Sequence, residues 1–307
     1  MNFDFQRYLA AKKSVDDRAL NRRVWGCLVD QVKGMGLQRP LRVLEIGAGI
    51  GTMLERLLGW GLAPSINYTG IDARADNVRT ATLRLPVWAQ EQSYQTSLHQ
   101  GEMKLSQGQV SVTARFIAED AFAFMTRETA WERYDLLIAQ AFLDLVDLSE
   151  AVPALMRSLI PGGLFYATLN FDGVTIFEPE LDPAFDAEIM ARYHRDMDER
   201  VIDGKPSGDS RTGRHLFIPL MEIGEILAAG ASDWVVYPRS QAYPADEAYF
   251  LACILHFLET ALQDDPDLDQ ARFKAWLRQR EQQIERGELI YIAHQLDILV
   301  KNLPHLD

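Results

Sequence analysis

Short apolar runs bounded by turn residues alternate with stretches of helical spacing through the first 170 residues. The runs at 42–46, 67–72, 134–140 and 164–170 have strand length and little polar interruption, as strands buried on both faces do. Between them, 52–60, a long segment from about 74, and 149–159 place apolar residues at helical spacing, with Pro86 inside the second as an expected kink. That β-α-β-α order predicts a parallel sheet with helices on both faces. One link is longer than usual. Polar clusters at 99–102 and 106–109, followed by alternation through Val110, Val112, Ala114 and Phe116, predict a β-hairpin leading into the third strand.

Both flanks depart from this rhythm. Residues 1–40 read as helical: Ser14-Val15-Asp16-Asp17 has the form of a capping box with Asp in place of Glu, and Val24, Trp25, Leu28, Val29 and Val32 share a face. Arg18 and Arg22 continue the stripe through Trp25 and Val29, which suits either a salt-bridged surface or contact with a substrate. After 170, Asp182-Pro183 caps and starts a helix with Phe185, Ile189, Tyr193 and Met197 on one stripe and Met190, His194 and Val201 beside it. Residues 203–215 are polar, charge-rich and expected to be flexible. Leu216, Leu220 and Ile223 predict a helix closed by Gly224 as a C′ residue, then a sixth strand at 225–229 and helices at 246–262 and 268–285. The apolar positions of 287–301 fit a strand or a helix.

Bulk properties narrow the partners. The chain has 307 residues, 48% hydrophobic and 24% charged, which is ordinary for a soluble globular protein. A net charge of −13 argues against nucleic acid and against an anionic membrane. No apolar run is long enough to span a bilayer, and the first residues lack the pattern of a signal peptide, so a cytoplasmic protein is expected. Cys27 and Cys253 are far apart and the six histidines are scattered, so neither a disulfide framework nor a metal site is expected. The oligomeric state is left open.

The candidate chemistry lies at 42–52. Glu45 is followed by Gly47, Ala48, Gly49 and Gly51 at a strand-to-helix turn, a place where nucleotide-like ligands dock. A dinucleotide fingerprint starting at Gly47 would need a third glycine where Thr52 stands. The pattern E-x-G-x-G-x-G, with Ile71-Asp72-Ala73 closing the next strand, resembles the motifs of the class I S-adenosylmethionine (SAM) methyltransferases. The resemblance covers about 40–170 by specific motifs, including the Pro161-Gly162-Gly163 turn, and the rest more loosely.

It implies a Rossmann-like, seven-stranded, mostly parallel sheet with an antiparallel last strand, which assigns 287–301 to that strand. The implied organisation is an N-terminal helical cap (1–40), a SAM-binding core (41–170), an inserted lid (171–212) and the completion of the core (213–307). The resemblance also implies a ribose contact at Asp72 and an adenine contact at Glu119-Asp120-Ala121, and Gln140 ends the strand beside the reacting group. The Asp/Asn-Pro-Pro-Tyr/Phe motif of nucleobase methyltransferases is absent after Gln140, and a small-molecule acceptor is expected, methylated in line under the lid with S-adenosyl-L-homocysteine (SAH) as product.

Arg18, Arg22, Asn170, Asp172, Tyr193 and Arg214 are candidate substrate contacts, and His194, His215 and Arg211 candidate catalytic groups. Asp144, Asn170 and Asp172 loosely resemble the cation site of metal-dependent catechol-type O-methyltransferases, but the Asn-Phe-Asp order departs from it. The alternatives are a non-catalytic SAM-binding scaffold and an aminopropyltransferase of the polyamine synthase type, whose G-G-G-D-G turn is not present.

Overall fold

The computed structural model describes residues 3–202 and 204–303. The outermost residues of the cap and of the completing segment, and Asp203 of the polar loop, lie outside the described residues. In chain order, α1 (Phe5–Ala19) and α2 (Arg22–Gly34) precede β1 (Leu41–Ile46), α3 (Thr52–Gly59), β2 (Ser65–Asp72) and α4 (Ala75–Glu91). Then come β3 (Gln95–His99), β4 (Glu102–Gln107), β5 (Val110–Ala118), α5 (Ala121–Met125), β6 (Tyr134–Gln140), α6 (Leu148–Met156) and β7 (Leu159–Glu178). The last third holds α7 (Pro183–Asp198), β8 (Val201–Ile202), β9 (Lys205–Pro206), α8 (Thr212–His215), α9 (Phe217–Ile223) and β10 (Gly224–Ala231). β11 (Trp234–Val236), α10 (Glu247–Leu262), α11 (Gln270–Glu285) and β12 (Ile290–Asn302) complete it.

The main sheet runs β10-β12-β7-β6-β1-β2-β5-β4-β3, with β11 also on β12. β5, β2, β1, β6 and β7 are parallel and β12 is antiparallel, so β5 through β10 form the expected Rossmann-like unit, extended at one edge by the β3–β4 hairpin. β6 is buried at its first six positions because helices cover both faces, whereas β4 alternates, with Met103 and Leu105 inward. One core (Leu28, Leu57, Leu85, Ile138) fills one face and a second (Phe124, Leu155, Phe165, Leu220) the other. A third core joins α1, α7, α10 and α11 to the far halves of β7 and β12 through Phe177, Phe250, Trp276 and Tyr291. It builds a mass beyond the C-terminal edge of the parallel strands.

Several local expectations are corrected. Ser14 lies inside α1, and its hydroxyl donates to Glu247 at 2.7 Å rather than capping a helix. The caps are Asp4 and Asn21, because the chain breaks at Leu20 (ψ 126°) and starts a second helix. Arg18 and Arg22 therefore do not share one helical stripe. β7 continues past 170 to Glu178, paired with β12, so the first part of the expected insertion is strand. Val201 leaves the α7 stripe and is exposed in β8. Within the expected polar loop, Ser207, Ser210 and Thr212 are buried, and the Ser210 amide donates to Asp198 at 2.7 Å, so its part from Ser207 onward packs against the protein. Gly224 has φ −157° and opens β10 directly, with no left-handed cap.

Candidate active site

The site is built on the turn from β1 to α3. Gly47 (φ +66°) and Gly49 (φ +53°) adopt left-handed backbone that a side chain would strain, and a Cβ on Gly47 would lie 2.9 Å from the Phe142 ring. The Gly49 amide donates to Asp72 Oδ2 at 2.8 Å, and Asp72 Oδ1 accepts from the Arg74 amide at 2.9 Å and from Asn77 Nδ2 at 3.0 Å. Asp72 thus fixes the turn as well as facing it. The Ala48 amide donates to the carbonyl of buried Ile71 at 2.9 Å. Gly51 does something different: a Cβ there would meet Leu85 Cδ1 at 2.7 Å, so its bare backbone lets α4 close on α3.

Around this turn lies a cavity of about 400 Å³ at the C-terminal edge of the sheet. Of the residues expected to hold a cofactor, Glu45, Gly47, Ala48, Gly49, Asp72, Ala73 and Gln140 line it. Glu45 is buried and accepts the Tyr68 hydroxyl; burial pushes its pKa up to about 8.

An N-terminal helical cap was expected, but none of the residues lining the cavity from it was among the expected contacts. Tyr8, Leu9, Lys12 and Asp16 of α1 cover the cavity with Trp234 and Phe257. Asp16 is buried and accepts from Lys12 Nζ, Gln140 Nε2 and Trp234 Nε1, each at 2.9 Å. Arg56, fully buried behind it, donates to Gln140 Oε1 at 2.9 Å and to Asp17 Oδ1 at 2.6 Å. The one available sequence signal was a polar pair, Lys12 and Asp16, four residues apart on an otherwise apolar stripe.

Glu119, Asp120 and Ala121 stand apart from this cavity. Asp120 caps α5, accepting the Ala123 amide at 2.9 Å, and lines a neighbouring cavity of about 630 Å³ with Phe122, Met125 and Trp131. Glu119 is ion-paired with Arg127, and Ala121 is buried. Leu145 lines both cavities, so they adjoin. Just before it, Asp144 lines the first cavity, and its Oδ1 is buried without a hydrogen-bond partner; burial raises its pKa.

The other candidates line neither cavity. Arg18 is paired with buried Glu247 at 2.5 Å, and the Arg22 guanidinium lies 4.0 Å from the Trp60 ring. Asn170 donates to the Leu296 carbonyl at 2.9 Å. Asp172 holds Arg214 through Nε at 2.8 Å and Nη2 at 2.9 Å, with His294 Nε2 3.6 Å away. His215 Nδ1 is 2.7 Å from Asp209, whose Oδ1 accepts the Arg211 amide at 2.8 Å. His194 Nε2 is 3.4 Å from the Thr175 hydroxyl, and burial lowers its pKa. Tyr193 is pushed up to about 12, by burial first, with the Asp144 charge adding to it. Among the described residues no group of three or more His, Cys, Asp or Glu side chains is disposed to hold a metal ion, and no helix is long and apolar enough to cross a membrane.

No protein-family model and no curated protein matches the chain. Solved structures do. One is the YcgJ protein from Bacillus subtilis, 14% identical, with 91% of this chain and 99% of that one covered at a TM-score of 0.47. Another is the cyclopropane synthase MmaA2 from Mycobacterium tuberculosis, 10% identical, 93% and 88% covered, TM-score 0.43. A third is a Haemonchus contortus phosphoethanolamine N-methyltransferase in complex with phosphomonomethylethanolamine and SAH, 12% identical, TM-score 0.41; 99% of this chain is covered but 61% of that one.

Proposed function

We propose that the chain is a class I SAM-dependent methyltransferase acting on a small molecule. The observation that carries this reading is the Gly47–Gly49 turn clamped by Asp72 in a cavity that also holds Glu45 and Gln140. The residues fit the cofactor. A carboxylate offers about four acceptor positions, and Asp72 uses three; a ribose diol takes the fourth and competes with Asn77 for its neighbour. Glycine backbone at 47 and 49 lets a ligand approach where a side chain would stand. Asp120 lines the cavity that adjoins this one at Leu145, which supports giving it the adenine amine.

The bound cofactor supplies a methyl group on a sulfonium, so the protein's own work is to bind, to align an acceptor and to exclude water. Gln140, locked between Asp16 and Arg56, keeps the floor rigid. Helix α1 and Trp234 supply part of the cavity's wall. A roofed cavity of this size suits a small acceptor better than a macromolecular one, and the net charge of −13 supports the same choice. The packed segment from α7 to α8 serves as the lid over Leu145, where the Ser207 hydroxyl donates to the Leu145 carbonyl at 2.7 Å. We assign the protein to the cytoplasm.

Calorimetry with SAM and SAH tests the reading, and absence of binding to both overturns it. Asp72→Ala should weaken SAM binding at least about tenfold, the value of a charge-assisted hydrogen bond. Unchanged affinity would remove Asp72 from the ribose site.

A further inference from the structure

We propose that Asp144 selects the methyl acceptor, and that the acceptor presents an amine, carried into the cavity as its ammonium form. The ammonium passes one proton to the Asp144 carboxylate, and the freed nitrogen lone pair then takes the methyl as the S–CH3 bond breaks and SAH leaves. This rests on the methyl-transfer reading of the cavity. Asp16, Glu45, Asp72 and Asp144 are the acids lining that cavity. The first three are already answered by the protein. Asp16 takes Lys12, Gln140 and Trp234; Asp72 takes two backbone amides and Asn77; Glu45 takes the Tyr68 hydroxyl.

Asp144 differs, because its Oδ1 is buried and meets no donor. The cations that bear on it, Lys12 and Arg200, act through space, and Lys12 is already bonded to Asp16. The carboxylate is half-buried and meets its own backbone amide, but an acceptor atom buried without a donor is costly, so the site is incomplete until a donor reaches Oδ1. An entering hydroxyl would supply the hydrogen bond and leave the charge. An ammonium supplies both.

Placement and walls agree with this. Asp144 sits on the turn after β6, two residues beyond Phe142, and lines the cavity with Gln140, the residue that ends the strand beside the expected reacting group. Tyr8, Phe142, Trp234 and Phe257 line the same space, and aromatic faces attract a cation. The competing partner for Asp144 is the sulfonium of the cofactor, a charge that SAM carries and SAH lacks.

Ligand-observed NMR on the SAH-saturated protein, with benzylamine against benzyl alcohol and n-butylamine against n-butanol, reads the acceptor preference directly. Each amine should bind at least about tenfold more tightly than its alcohol. Asp144→Asn should abolish that preference and Asp144→Glu retain it, with SAM and SAH affinities by calorimetry unchanged in both. Equal binding within the pairs, binding of no amine, or a preference that survives Asp144→Asn would overturn the proposal. So would an Asp144→Asn variant that loses affinity for SAM and not for SAH, which would give the carboxylate to the sulfonium. Should Asp144→Asn not fold, the wild-type and Asp144→Glu preferences decide alone. Absence of SAM and SAH binding to the wild type overturns the methyl-transfer reading and this proposal with it, whereas intact cofactor binding without an amine preference overturns this proposal only.

Discussion

Glu45 has an ordinary pKa of 4.5 and one of about 8 in the fold, raised by burial. Between those values the unfolded chain releases a proton that the folded chain keeps. Its contribution to stability is therefore complete below about pH 4.5 and is lost progressively as the pH rises to about 8. Asp297, raised to about 6 by burial, acts in the same direction over a narrower range. Glu45→Gln is neutral throughout and can still accept from Tyr68. Its Tm should gain on wild type as the pH moves from about 4.5 toward 8; parallel curves would mean that Glu45 is ionised in the fold. The glycines of the turn separate in the same way by what surrounds them. Gly51→Ala would force φ +80° on a side chain and press it into Leu85, costing about 1–3 kcal/mol of stability in urea unfolding while SAM affinity holds. Gly47→Ala points its methyl at Phe142 inside the cavity and should lower SAM affinity instead. Equal effects on both readouts from the two variants would contradict this division.

At the scale of elements, one carboxylate of α1 ties the helix to two strands over the cavity, beside the bonds of Ser14 and Arg18 to Glu247 and of Asp17 to Arg56. Asp16 receives three donors from three elements, α1 itself, β6 and β11, and Arg56 stands 3.6 Å away. Asp16→Ala leaves those donors buried and unpaired, a loss of about 3–5 kcal/mol for a broken buried pair. It should appear in chemical unfolding as a lowered midpoint, and in calorimetry as weakened SAM binding. A variant with normal stability and affinity would show that the apolar face of α1 and those other bonds seat the helix. This element also marks the limit of the sequence. The glycine turn, Asp72 and the strand pattern were legible because each is local: a few consecutive residues dictate backbone and period. The roof depends on Asp16 meeting Trp234 across 218 positions, and nothing near either residue announces the other. The capping-box reading failed for the related reason that local pattern cannot tell a helix start from a polar residue, such as Ser14, bonded to a distant partner, here Glu247. The continuation of β7 past 170 is likewise set by its pairing with β12.

For the whole molecule, the sheet grades from strands buried on both faces to an exposed edge, and local opening should follow that gradient. β1 and β6 lie at the centre with nearly every position buried, whereas β3 is exposed at four of its five positions and pairs on one side only. Amide hydrogen exchange should be slowest in β1, β6 and the 164–170 half of β7, and fast in β3. The cofactor reading then predicts where a ligand changes the pattern. SAM in the cavity touches the turn at 47–52 and the underside of α1, both of which must stay closed while it is bound. Binding should therefore slow exchange at 47–52 and along Phe5–Ala19, and leave the β3–β4 hairpin, at the far edge of the sheet, unchanged. Slowing at the turn without slowing in α1 would mean that the cofactor binds under a roof free to open. In that case the exclusion of water would have to come from the α7–α8 segment above Leu145.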